Sequence, residues 1–216
     1  MSGTGQGSEG SSSWSDLHDA WQVAFGEAWV SFRGGHYGIG AALVDEDLRV
    51  VASGRNMVAS ASGDQRLSGN YMAHAEMNLF AGISTYDADG FHLLSTLQPC
   101  LMCAATALFL NVDSVSYAAD DEFFLDLDDL WQHHPFTRPR AVPTTKAFTG
   151  PLDSFARLLP LSHTLATLPD SPQAAAARNA QPRLAALAAD REFIESLRSF
   201  ETPPQAMDFA FSRLTP

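Results

Sequence analysis

With 216 residues, 45% of them hydrophobic, the chain is long enough to bury one sizeable core and too apolar to be disordered or fibrous. Its 13 Lys and Arg stand against 25 Asp and Glu, a net charge of −12, which is a poor balance for a polyanion whose phosphates need neutralising. No apolar run approaches the roughly 20 residues that span a bilayer.

Residues 1–13 are rich in Gly and Ser without an apolar or basic cluster, so they read as a flexible tail and not as a signal peptide. From Asp16 to Arg33 the residues Leu17, Trp21, Phe25, Trp29 and Phe32 recur every three or four positions. This spacing predicts an amphipathic helix with Ser15 as cap and Gly34-Gly35 as stop, its aromatic stripe turned to the core. Gly38–Val44 and Leu48–Ala52 read as two strands joined by the turn Asp45-Glu46-Asp47, followed by a loop from Ser53 to Asn70. Helix, strand, helix and strand are then expected at about 73–82, 92–97, 100–110 and 114–118, the order of a sheet covered by helices on both faces. Residues 14–150 thus form the expected main domain.

From about Pro151 the composition shifts to Ala, Leu, Pro and Arg. Leu152–Leu168 reads as one or two short helices interrupted at Pro160, Pro169–Pro172 as a break, and Leu184, Leu187, Ile194 and Leu197 as one helical stripe between Pro182 and Thr202. The extension 151–216 is expected to pack on the domain or at a subunit contact.

Two short motifs carry the chemistry: His74-Ala75-Glu76 and Pro99-Cys100-Leu101-Met102-Cys103. They offer one imidazole and two thiolates as metal ligands, plus a carboxylate that is not a ligand. A structural zinc takes four protein ligands, whereas a catalytic one takes three and leaves a position for water, whose pKa it lowers to about 7. Glu76, two residues past His74 near a helix start, stands where it can handle the water's proton. The Cys-x-x-Cys turn opens a helix, where exposed N–H groups and the helix dipole favour thiolates. Taken alone, the cysteine pair also fits a redox pair or half a zinc knuckle, and His-x-Glu occurs by chance. Their joint occurrence, each at an expected helix start, favours the catalytic zinc.

The two motifs match the H-x-E and P-C-x-x-C signature of the zinc nucleobase deaminases. From about Asp16 to Asp121 the chain resembles this cytidine/deoxycytidylate deaminase-like superfamily. The stretch Thr96-Leu97-Gln98-Pro99-Cys100-Leu101-Met102-Cys103-Ala104 and the strand Ser114-Val115-Ser116-Tyr117-Ala118 bring it nearest to the branch of guanine deaminases and tRNA adenosine deaminases.

The resemblance implies a three-layer α/β/α fold with a mixed sheet of about five strands. It also implies Zn2+ held by His74, Cys100 and Cys103, Glu76 as the catalytic acid and base, and substrate contacts at Asn56, Ala75, Gln98 and Cys100. That branch usually carries Glu where Gln98 stands. An amide such as Asn56 can read a base edge with its donor and acceptor; Asn also commonly stabilises its own turn. In the resembling proteins the segment after the last shared strand closes over the pocket, which here draws in Phe123, Phe124, Trp131, His133, His134 and Phe136; the adjacent histidines read more simply as surface residues.

Residues 1–150 carry 7 Lys and Arg against 18 Asp and Glu, so the acid lies on the catalytic part. A small-molecule nucleobase or nucleoside substrate therefore fits better than nucleic acid. The run Asp120, Asp121, Glu122, Asp126, Asp128 and Asp129 reads as a solvated, self-repelling surface. A cytoplasmic, homodimeric enzyme with no membrane partner is expected. Two alternatives stay open, an RNA-editing deaminase with the same zinc site and a non-catalytic zinc module.

Overall fold

A computed structural model describes residues 13–59, 64–125 and 127–214. All of the expected N-terminal tail except Ser13 lies outside these residues, as does Asp126 of the acidic run.

Five strands form one sheet in the order β2-β1-β3-β4-β5: β1 (Gly40–Val44), β2 (Val50–Arg55), β3 (His92–Leu97), β4 (Ser114–Ala119) and β5 (Thr144–Lys146). β1 pairs antiparallel with β2 and β3, while β3–β4 and β4–β5 are parallel, so the sheet is mixed. Side chains alternate along β1. Ala42 and Val44 join the core under α1 (Asp19–Arg33), and Ala41 and Leu43 join the one under α2 (Ala75–Gly82) and α3 (Leu101–Phe109).

Two glycines let helices lie close on the sheet. A Cβ on Gly40 would stand 2.2 Å from the Ala24 carbonyl in α1, and one on Gly54 would stand 2.4 Å from the Ala75 carbonyl in α2. α2 therefore packs directly on β2, and that contact sets where the helix begins.

Several expectations need correction. α1 begins at Asp19 and is capped by His18, whose Nδ1 accepts from the Ala20 N–H at 3.2 Å, so Ser15 is not the cap; Trp14–Asp16 form a separate 3-10 turn. Leu17 is buried all the same. The second strand runs to Arg55 and starts at Val50, because the Asp45 carboxylate accepts from the N–H groups of Asp47 and Arg49 and Leu48 turns with φ +61°. Gly38, with φ +66°, precedes the first strand, where a Cβ would collide with Leu159 at 2.7 Å.

The C-terminal part differs most. α5 (Pro151–Thr167) runs unbroken through Pro160. Leu158, Leu159 and Pro160 are all buried, and packing on both sides outweighs the missing N–H. α6 (Pro172–Ala180) occupies the expected break, with the Ser171 hydroxyl accepting from Ala174 N–H at 3.2 Å and Pro172 as first helical residue. The stripe from Pro182 is two helices, α7 (Pro182–Ala189) and α8 (Arg191–Arg198), because the Asp190 carboxylate caps the second by accepting from Phe193 N–H. A last helix, α9 (Pro203–Leu214), had no counterpart in the sequence reading, nor had β5 and α4 (Leu127–Gln132). Leu152, Phe155, Leu158, Leu184, Leu197 and Met207 share one buried cluster with Trp29 and Phe32 of α1. The C-terminal helices thus cover the sheet face that α1 leaves open.

Candidate active site

The ends of β2 and β3 lead to two helix starts that face each other. His74 is the residue before α2 and Cys100 the residue before α3; both are extended, with ψ of 160° and 171°. Neither side chain caps its own helix. Both point instead to a common centre with Cys103, one turn into α3.

His74 Nδ1 lies 3.5 Å from Cys100 Sγ and 3.6 Å from Cys103 Sγ, and the two sulfurs are 3.6 Å apart. A disulfide is excluded at that separation, since a bonded pair lies at about 2.0 Å. Two sulfurs at about 2.3 Å from one tetrahedral zinc lie about 3.8 Å from each other, and each lies about 3.6 Å from a nitrogen ligand. The three donors already have that spacing, so they fit the metal without rearrangement.

The electrostatics agree. The contact with Cys103 first of all, and then the hydrogen bond to His74, bring the Cys100 thiol down to about 4 against the opposing effect of burial. Cys103 is pushed well up by sharing a hydrogen with Cys100 and by burial. Burial disfavours a charged His74, yet the hydrogen bond to Cys100 and the charge of Glu76 outweigh it and hold the imidazole above its usual value. Clustered groups of this kind attract a divalent cation, which replaces the shared protons.

Glu76 sits on the first turn of α2, only 3% exposed. Its Oε1 accepts a hydrogen bond from the Ser95 hydroxyl of β3 at 2.8 Å. Burial, and secondarily the Cys100 charge, raise its pKa, while His74 and Ser95 pull it back. A carboxyl so placed exchanges a proton readily near neutral pH. Ser95 was not singled out from the sequence, although a lone hydroxyl in the apolar strand His92-Leu93-Leu94-Ser95-Thr96-Leu97 is a visible signal.

A cavity of about 230 Å³ opens beside this centre, with His74, Glu76, Cys100, Asn56 and Gln98 in its wall. Asn56 is buried; its Oδ1 accepts from Val58 N–H at 3.1 Å, and its carbonyl takes the Ser31 hydroxyl at 2.8 Å. Ala75 is fully buried and lies outside the cavity wall, pressed against Gly54. Gln98 is engaged at both ends by the following segment: its Nε2 donates to the Phe124 carbonyl and its Oε1 accepts from Asp121 N–H, each at 3.3 Å.

Phe123 and Phe124 do reach the cavity, whereas Trp131 lines a separate one of about 270 Å³ beneath α4, and His133 and His134 are exposed and line neither. The acidic run is a second correction. Asp120, Asp121 and Glu122 line the cavity instead of facing bulk solvent. Asp120 and Glu122 pair with Arg157 of α5, which is only 6% exposed and also meets Asp153 at 3.0 Å. Lys146 joins them, 2.6 Å from Asp120. A single Arg inside the apolar run of α5 was the unused signal. Burial, the main cause, raises the Asp121 carboxyl to about 6.

Residues 15–119 match the family model of the cytidine and deoxycytidylate deaminase zinc-binding region. No curated protein matches the chain. Among solved structures, one from a study of A-to-I editing by tRNA:A34 deaminases is 24% identical, covers 59% of this chain and 96% of its own, and superposes with a TM-score of 0.50. A guanine deaminase from Nitrosomonas europaea is 20% identical over 68% of this chain and 85% of its own, TM-score 0.48. A dCMP deaminase from the cyanophage S-TIM5 is 21% identical over 60% and 99%, TM-score 0.41.

The donor set and the family match agree on a class, the zinc-dependent deaminases. Within that class the chain belongs to the cytidine deaminase-like superfamily. The matched segment ends at residue 119, so the five C-terminal helices lie wholly beyond it.

Proposed function

We propose that the protein hydrolyses the exocyclic amine of a free nucleobase or nucleoside to a carbonyl, releasing ammonia. The observation that carries this reading is the buried Glu76 carboxyl, held by Ser95 next to three donors spaced for one zinc. Zinc on His74, Cys100 and Cys103 supplies an activated water at neutral pH. Glu76 takes a proton at its carboxylate, passes it to a ring nitrogen of the base and then assists departure of the amine. Ser95 keeps the carboxylate turned to the cavity, and Asn56 reads the base edge. Gln98 acts on substrate indirectly in this reading, since its amide ties the Asp121–Phe124 segment over the cavity.

The charge of the wall supports a small substrate over a nucleic acid. Arg157 is the only Arg or Lys among the described residues of the wall, and three carboxylates occupy its guanidinium. Nothing there is left to neutralise a phosphate backbone. A cytoplasmic homodimer belongs to the same reading: Leu101 and Phe109 of α3 are exposed together with Phe136, which stacks on Phe109 at 5.0 Å. No helix among the described residues is long and apolar enough to cross a membrane.

Ammonia release from guanine, adenine, cytosine and their nucleosides, set beside a tRNA transcript, tests the proposal. Turnover of at least one small substrate and none of the tRNA is expected. Turnover of the tRNA alone, or of nothing, contradicts it.

A further inference from the structure

We infer that the C-terminal helices α5–α7 build a second compartment onto the zinc cavity, and that it selects bases carrying an uncharged, largely apolar ring substituent. The inference rests on the deaminase reading and goes beyond it in naming what the substrate carries.

The cavity is not confined to the family segment. From His74 and Cys100 it continues to Leu161 on α5, Leu168 behind it, Ala177 on α6 and Leu184 on α7, with Phe124 closing the near side. Ala177 and Leu184 are almost fully buried, so what surface they retain faces a confined space. A bare base contacting Asn56 and Glu76 would leave this apolar wall wet. An apolar group on the ring atom that carries the sugar in nucleosides, pointing away from the reacting amine, would cover it and gain the transfer free energy of that surface.

Charge narrows the class further. Asp120, Asp121 and Glu122 stand where the two compartments meet. The cations near them are committed: Arg157 to Asp120, Glu122 and Asp153, and Lys146 to Asp120 and Asp153. Gln181 donates to Glu122 at 3.3 Å and ties the start of α7 to the same group. A phosphate entering here would meet carboxylates in a partly desolvated setting without a free partner, which is repulsive. Monophosphates are thereby rejected along with charged backbones.

The experiment compares kcat/KM for guanine, adenine and cytosine, each as the free base, the nucleoside, the 5′-monophosphate and the derivative with benzyl in place of the sugar. For the base that is turned over, the benzyl form is expected to exceed the free base about tenfold and the monophosphate to fall well below the nucleoside. Leu161→Trp, which fills the compartment, should lower kcat/KM for the benzyl form at least about tenfold more than for the free base. Gln173→Trp, at an exposed position of α6 on the same wall, should shift that ratio in the same direction and serves if Leu161→Trp does not fold, as judged by zinc content and melting. A free base turned over as well as its benzyl form, a monophosphate as good as the nucleoside, or filling variants that lower all forms equally would overturn the inference while leaving the deaminase reading intact. If no form of any base is turned over, the deaminase reading fails and this one with it.

Discussion

The zinc cradle and the C-terminal wall border the same cavity yet are specified in opposite ways. The cradle is local: His74 with Glu76, and Cys100 with Cys103, each lie within four residues at a helix start, and the fold has only to bring two such starts together. The wall is assembled from side chains spread between Arg157 and Leu184, none of which has a chemistry of its own to announce it. Reaction type can therefore be written in a few residues, whereas the shape that chooses a substrate is distributed through packing.

Breaking each region should give different losses. Cys103→Ser, the most severe, removes a buried donor of the three and should leave less than about a tenth of a zinc per chain and no measurable turnover; zinc content by atomic absorption checks this, and a loaded variant would mean that two donors suffice. Phe155→Ala attacks the wall from behind. Phe155 is fully buried between α1 and α9, so the change should cost about 3–5 kcal/mol of stability, while zinc binding by the folded fraction persists. Denaturant melts measure the first and zinc titration the second; concurrent loss of both would show that cradle and wall are one cooperative unit.

The smallest effect sharpens the junction. Asp121 is raised from 3.8 to about 6 in the folded chain, so the folded state binds its proton more tightly than the unfolded state does. The stability this contributes is fully present below about pH 4 and is lost as the pH rises through about 6. Asp121→Asn keeps an oxygen to accept from Phe123 N–H and has no charge to desolvate. It should match the parent near pH 4 and exceed it by about 2 kcal/mol at pH 7.5. A variant equally less stable at both pH values would place the role of Asp121 in its hydrogen bonds and not in its charge.

How much of this was legible in the sequence follows from the same contrast. The alternating order of helices and strands from Asp19 to Ala119, the two zinc motifs and Glu76 all come from short-range pattern, and each stands in the structure within a few residues of its expected place. What escaped depends on distant partners. Ser95 gains its meaning only when β3 passes under Glu76, and Arg157 only when α5 crosses the end of β4. Pro160 is a helix breaker by local rule, and the buried run around it overrides that rule. The acidic stretch Asp120–Glu122 read as solvated because its cations, Lys146 and Arg157, come from 24 or more residues further along the chain.

The central claim is that Glu76 handles protons beside a three-donor zinc and holds no metal itself. It is tested most directly by measuring zinc content and ammonia release on one preparation of Glu76→Gln. Full zinc occupancy with turnover reduced about 1,000-fold is the expected result. Zinc lost in proportion to activity, or turnover close to the parent's, would contradict it.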